Sequence, residues 1–435
     1  IMKLQSASAS ISQRAQKSAA SISTAASRVV SRKVEIRSLL STAISKSRSH
    51  DDDNDDNDNR VHFLYTGQHA YEVPHDVTHV RVDPSVRTIA ECAFYDCHML
   101  QEVELYQGLE EIRDRAFRNC KSLRYVTIPS TVRSIDDSAF RDCHFLTEVR
   151  LCGGLVQIGW GAFANCKSLR RIEVPGSVEW IGPEAFRDCP QLSEVVLCEG
   201  VRLIKKDAFM NCNSIRSITV PSSVKAIEVG AFKDCMQLEE VELCDGLDEI
   251  ETRAFSNCKS LRGITIPSTV RIIGTEAFSL CEQLCDVDLW EGLEEIRDGA
   301  FAECISLRRI SVPSTVRVID RSAFCRCKSL EDAELYDGLE EIADHAFRGC
   351  RSLRRIGTPA SVRSIGYEAF FDCDGLEEAE LNEGLEQVGV NAFWNCRALQ
   401  YVRLPKSVRA VVGVKLEGCV QPVVMPSVIP TFVFP

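Results

Sequence analysis

The chain has no run of about 18 consecutive apolar residues, so no stretch has the length and composition of a membrane-spanning helix. It has no nucleophile elbow, no glycine-rich phosphate loop and no paired-histidine zinc motif. Hydrolase, nucleotide-dependent and zinc-protease chemistries therefore lack their usual carriers, and no catalytic residue, cofactor or metal is assigned. Positive charge is also short, with 51 Lys and Arg against 63 Asp and Glu and a net charge of −12. A phosphate backbone wants a basic face, so a nucleic-acid partner is excluded for the body of the chain. Histidines number only eight. Four of them, His62, His69, His75 and His79, gather early without the cysteines or carboxylates that would complete a metal site.

Where charge is present, it is unevenly placed. Residues 1–50 hold nine Lys and Arg against the single acid Glu35, and residues 51–60, DDDNDDNDNR, hold six Asp and one Arg. Taking the head's +8 and the linker's −5 from the total leaves −15 for residues 61–435. The body that follows repeats without interruption. Ala-Phe pairs end at Phe94, Phe117, Phe140 and so on to Phe393 in steps of 23, with a cysteine three positions after every one. A degenerate fifteenth unit places Leu416 and Cys419 in the same frame. Around Phe117 the constant apolar positions are Leu109, Ile112, Ala116, Cys120, Leu123, Val126 and Ile128. The alternation in L-x-x-V-x-I fits a strand with one buried face, and the Pro or Gly behind it turns the chain. A second extended piece follows, and then AFRNC, which has room for no more than one helical or 3₁₀ turn. A unit this small cannot close its own core, so units must stack and share ladders of Leu, Ile, Phe and Cys. The expectation is a right-handed solenoid with a parallel sheet along one side, about 65–70 Å long for fourteen or so strands.

The pattern L-x-x-I-x-I-P-x-x-V-x-x-I-x-x-x-A-F-x-x-C resembles the BspA-like leucine-rich repeat over about residues 65–420. The opening segment, Leu64 to Val86, is similar in style to algal and protist members. The resemblance implies a leucine-rich-repeat solenoid acting as a curved, non-enzymatic scaffold for protein contacts. It supplies no catalytic residues.

Charge alternates from unit to unit. Exposed strand positions read Glu239, Glu240, Glu242, then Arg262, Gly263, Thr265; later Glu331, Asp332, Glu334, then Arg354, Arg355, Gly357, then Glu377, Glu378, Glu380. The true period is thus 46 residues. In a parallel stack each residue lies beside its equivalent, and like charges about 5 Å apart would repel. Two readings fit: the alternation neutralises neighbours within the rod, or it forms a checkerboard that grips a charged partner. Neutralising acidic-strand Glu residues should lower stability under the first reading, and weaken a partner instead under the second.

Of the 21 cysteines, fifteen lie in the ladder, where β-carbons near 5 Å apart are too distant for the roughly 3.8 Å of a disulfide. Buried small apolar groups are the role expected of them. Six lie off it: Cys92, Cys152, Cys198, Cys244, Cys285 and Cys325. Cys325 and Cys327 have the wrong alternation for one metal, and Cys281 with Cys285 lacks partners. So many free thiols favour an intracellular, reducing compartment. The turn after the strand carries Pro129, Pro175 and onward to Pro405 in alternate units, with Tyr106, Trp290 and Tyr336 in units between them. Packing on neighbouring Pro would account for these aromatics, and exposed aromatics also dominate binding surfaces. The candidate contact patch is Tyr106, Trp290 and Tyr336 with Arg308, Arg354, Glu331 and Glu377 beside them.

The organisation read from sequence is a basic Ser/Ala-rich arm (1–50), an acidic linker (51–60), an N-terminal cap and first strand (61–92), the solenoid (93–420) and a Pro-rich apolar tail (421–435). The arm suits a transit segment, an amphipathic surface helix or a disordered extension. The tail suits a cover over the open end of the stack or an exposed docking peptide. The function expected is a protein-interaction scaffold. Its alternatives are an adhesion protein of the same fold, which needs an export signal upstream, and an adaptor tethered to a membrane or organelle by the arm.

Overall fold

The computed structural model describes residues 60–67, 73–403, 405–408 and 410–411. The arm, nearly all of the acidic linker, His69, the fifteenth-unit Leu416 and Cys419 and the tail lie outside the described residues.

Every unit contributes one longer and one two-residue strand, and both kinds stack in parallel. The short strands run from Thr88–Ile89 to Ala410–Val411 and form one unbroken 15-stranded sheet. The longer strands run from His62–Tyr65 to Tyr401–Arg403 and fall into five successive sheets. The rod therefore has two parallel ladders, where the sequence pointed to one sheet and a second extended piece.

The expected columns form. Phe rings from Phe94 to Phe393 stack with centroids 4.8–5.5 Å apart and planes within 13° of parallel. Tyr65 closes the stack at one end: its ring centroid lies 5.1 Å from that of Phe94, and its hydroxyl accepts the Ala90 N–H. Phe, Cys, Leu and Ile columns are all buried.

The Ala-Phe-x-x-Cys segment is a run of turns, and no helix occurs among the described residues. The reason lies in the backbone. The residues two before and two after each Phe take positive φ, as at Arg115 (54°) and Asn119 (65°) around Phe117. Left-handed residues break a helix, and here they aim alternate N–H groups at the next unit. Phe94 donates to the Ala116 carbonyl at 2.7 Å and Phe117 to Ala139 at 2.7 Å, with the same step repeated along the rod. The ladder cysteines are stitched in as well. Cys120 donates its thiol to the Phe94 carbonyl at 3.1 Å, and each later ladder cysteine to Cys396 does likewise to the Phe 26 residues earlier. Burial pushes these thiols up, to about 12 for Cys189, Cys235 and Cys281, so they stay protonated and able to donate. No disulfide joins the described cysteines.

Candidate interaction surface

Units fall into two kinds by the turn after the longer strand. Pro units put Pro there, as in Tyr125–Ile128 followed by Pro129, and Gly units put a glycine three residues on, as in Glu148–Leu151 followed by Gly154. Passing from a Pro unit to the next Gly unit, the longer strands pair over three or four residues, for example Arg309–Val312 with Asp332–Leu335. Passing from a Gly unit to the next Pro unit, pairing shrinks to one residue (Glu148 with Arg171, Glu240 with Gly263) or vanishes. The last such step, Glu378–Leu381 to Tyr401–Arg403, keeps three pairs.

At the position just after the longer strand the backbone donor points to the preceding unit: Cys198 N–H reaches the Val174 carbonyl and Cys244 N–H the Val220 carbonyl, both at 3.1 Å. In a Pro unit the equivalent donor is proline nitrogen, which has no hydrogen. At the start of the rod Asp83 occupies that place, donates to the Tyr65 carbonyl at 2.8 Å, and its strand pairs over four residues.

Side chains hold the junctions that lack this rung. Thr131, Ser177, Ser223, Thr269, Thr315, Ser361 and Ser407 each accept the N–H of the preceding Gly unit's turn glycine at 2.9–3.1 Å. A second column of side chains links the Ala-Phe turns of successive units: Asn165 donates to Asp142 and Asn211 to Asp188 at 2.7 Å, and Asn257 to Asp234 at 2.8 Å. Sequence reasoning missed both columns, although Asn and Asp alternate visibly from Asp96 to Asn257.

Ion pairs gather mostly at the other junctions. Arg87–Glu110, Arg171–Glu194, Arg216–Glu239, Arg271–Glu294, Arg317–Glu340 and Arg363–Glu386 all join a Pro unit to the following Gly unit. Glu239 reaches both ways, with Arg216 at 3.3 Å and Arg262 at 3.0 Å. At these positions charge alternation neutralises neighbours within the rod.

The candidate contact residues occupy two columns of this surface. Arg308, Glu331, Arg354 and Glu377 are consecutive neighbours in one column, all exposed. Their backbone steps are 2.8, 3.3 and 2.8 Å, shorter within the Pro-to-Gly junctions. Trp290 and Tyr336 stand two units apart beside them, 58% and 47% exposed. Tyr106 is eight units from Trp290, about 40 Å along the stack, and does not share a patch with it. It is also engaged locally, accepting from Arg81 Nε at 2.6 Å and donating to Glu104 at 2.9 Å.

The exposed strand positions change character along the rod. From Gln101 to Thr219 they hold five carboxylates and five guanidinium groups; from Glu239 to Glu380 they hold eleven and five. Internal pairing can cancel the first stretch but not the second. At the end of the first stretch, a surface hollow of about 280 Å³ is lined by Ser193, Glu194, Val196, Ser217 and Thr219, at a junction with no strand pairing. Among the described residues no three His, Cys, Asp or Glu side chains stand close enough to hold a metal, and no helix could cross a membrane.

Comparison with known proteins agrees with this architecture. The family model described as a BspA type leucine rich repeat region matches residues 65–193, 202–331 and 294–419. Among solved structures, a leucine-rich repeat protein from Bacteroides ovatus is 29% identical with a TM-score of 0.68, covering 76% of this chain and 88% of its own. One from Eubacterium ventriosum is 22% identical, TM-score 0.46, with coverages of 69% and 84%. A leucine rich cell surface protein from Faecalibacterium prausnitzii is 24% identical, TM-score 0.38, with coverages of 74% and 83%. Among curated proteins, none matches the chain.

Proposed function

Since the chain belongs to the BspA-type leucine-rich repeat family, we propose that it is a non-enzymatic scaffold that holds a protein partner on the exposed face of its longer strands. The contact stretch runs from Glu239 to Glu380, with Trp290 and Tyr336 as its anchors. One observation carries this reading: two large aromatics, half exposed or nearly so, stand two units apart beside the stretch where carboxylates outnumber guanidinium groups by eleven to five. Aromatic side chains surrounded by polar groups are the residues on which binding energy concentrates. Their exposure sets them apart from Tyr106, whose hydroxyl and ring are taken up by Arg81. Cysteines not joined by disulfides fit a reducing compartment as the place of action.

The test is affinity capture from the native source with the wild-type chain and with Trp290→Ala plus Tyr336→Ala. Both side chains are surface groups, so the double variant should keep its melting temperature and lose the captured partner. Capture that is unchanged by the double substitution overturns the assignment of the stretch.

A further inference from the structure

The partner chemistry that suits this surface is cationic, and a cationic segment is present in the chain itself. Residues 1–50 carry nine Lys and Arg and one acid. We propose that this N-terminal arm docks, within the same molecule, on the acidic stretch of strands from Glu239 to Glu380. The inference rests on reading that stretch as the contact surface, and it adds that the arm competes there with an outside partner.

Three observations favour the arm as occupant. The first is charge. The exposed strand positions of the stretch carry a net −6, and the rim adds Glu291, Asp337 and Glu383. Positions from Gln101 to Thr219 are balanced and offer a basic segment no net attraction. The arm's +8 also exceeds the −5 of residues 51–60, so the linker cannot neutralise it completely.

The second is reach. The described chain starts at Arg60, beside the His62–Tyr65 strand at one end of the rod. The Glu240–Leu243 strand lies eight rungs further on and Glu378–Leu381 fourteen, about 38 and 67 Å at the spacing of a parallel ladder. Ten extended linker residues cover about 33 Å, most of the distance to the first acidic strand. Fifty arm residues span about 75 Å even as a continuous helix, enough to cross the acidic strands from end to end. The linker's own acids are repelled by those strands, so only the arm is drawn to them.

The third is chemical fit. Trp290 and Tyr336 offer exposed ring faces beside the carboxylates, and guanidinium and ammonium groups bind both kinds of group. The chain already uses this contact elsewhere, with Arg141 over Trp160 at 5.2 Å and Lys205 over Trp180 at 3.9 Å.

A zero-length carbodiimide cross-link tests the proposal on the full chain, because it joins a lysine amine only to a touching carboxylate. At low ionic strength, Lys17, Lys33 and Lys46 should couple to carboxylates between Glu239 and Glu380, and the links should be lost in about 0.5 M salt, where screening is strong. In a chain carrying Glu331→Gln, Asp332→Gln, Glu377→Gln and Glu378→Gln, links to the untouched Glu334 and Glu380 should fall. Links confined to residues 51–60 or to the strands before Glu239 overturn the proposal, as does their absence. Mixing unlabelled with ¹⁵N-labelled chain distinguishes the source. Hybrid links would mean that the arm of a second copy sits there, and would overturn docking within one molecule. None of these results bears on capture through Trp290 and Tyr336, so the arm reading and the scaffold reading fail separately.

Discussion

A Pro-to-Gly junction and a Gly-to-Pro junction join the same kinds of strand in the same stack, yet they are held by different chemistry. The first has paired strands and most of the ion pairs between units; the step from Arg308 to Glu331 is 2.8 Å. The second has a longer 3.3 Å step from Glu331 to Arg354, no pairing of the longer strands there, and a hydroxyl staple instead. The Phe stack, the Cys–carbonyl bonds and the short-strand sheet run through both without change. The core thus repeats every 23 residues while the surface repeats every 46. Cooperative units in repeat proteins are set by interface strength, and here alternate interfaces differ.

The largest effect should come from glycine at the tighter junction. Gly338 sits at φ +119°, and a β-carbon there would lie 2.0 Å from the Ser314 carbonyl oxygen of the preceding Pro unit. Gly338→Ala combines backbone strain with a backbone clash and should cost roughly 3 kcal/mol or more. Gly357 lies within a strand with open space where a β-carbon would go. Gly357→Ala should be neutral or gain about 0.5 kcal/mol. Urea melts of the two variants measure the contrast. Equal melts would mean that the turn approach does not set the junction.

The looser junction has its own weak point at Thr269. Its hydroxyl accepts the Gly246 N–H at 3.0 Å and donates to the Leu247 carbonyl at 2.8 Å, and all three groups are partly buried. Thr269→Val keeps the shape and strands two backbone groups, a loss of about 1–2 kcal/mol. In the same unit Thr265 faces Asp288 across a Pro-to-Gly junction at an exposed site. Thr265→Val should change stability by less than about 0.5 kcal/mol. A reversed order in thermal melts would remove the staple from the account.

How much of this could be seen in the sequence depends on whether a feature lives in one unit or between two. The Phe and Cys columns need only a frame of 23, and Phe94 to Phe393 kept it without an error. The alternation of Arg308, Glu331, Arg354 and Glu377 was equally plain, as was the alternation of Pro129 with Tyr106 and its equivalents. What the letters could not show is direction. Proline opens one junction and not the other because the N–H at its position would donate to the preceding unit, and no periodicity encodes that sense. The thiol bonds stayed hidden for a similar reason, since Cys120 reads as a small apolar residue until the Phe94 carbonyl is seen above it. The contact patch was legible in type but not in place. Seven intervening units separate Tyr106 from Trp290, and spacing along the sequence alone does not say which aromatics remain uncovered.

Restoring the missing donor should narrow the difference between junctions. Pro313 follows Arg309–Val312 and occupies the position whose N–H, at Cys198 and Cys244, meets the carbonyl 24 residues earlier; here that carbonyl belongs to Leu289 of the preceding Gly unit. Pro313→Ala supplies an N–H there while freeing the unfolded chain. The two effects oppose each other, so stability should move by no more than about 1 kcal/mol. Hydrogen exchange decides the matter. The new amide at position 313 should exchange slowly, and one that exchanges at the rate of an open loop would show that proline is not what opens this junction.

The smallest effect is expected from a single ion pair between the Ala-Phe turns of successive units, and its pH dependence makes it identifiable. Arg253 meets Glu276 of the next unit through two hydrogen bonds, at 2.7 and 3.0 Å, in a partly exposed site. The guanidinium hydrogen bond holds the Glu276 carboxyl below its usual range. A carboxyl with a depressed folded value contributes stability that is present above its unfolded pKa, about 4.3, and is lost as pH falls through the folded value. Arg253→Gln should therefore cost at most about 1 kcal/mol near pH 7, less in high salt, and almost nothing below about pH 3. A cost that persists in acid would arise from the arginine stem or from its left-handed backbone at φ 57°. In that case the charge of the pair would not be what joins these two turns.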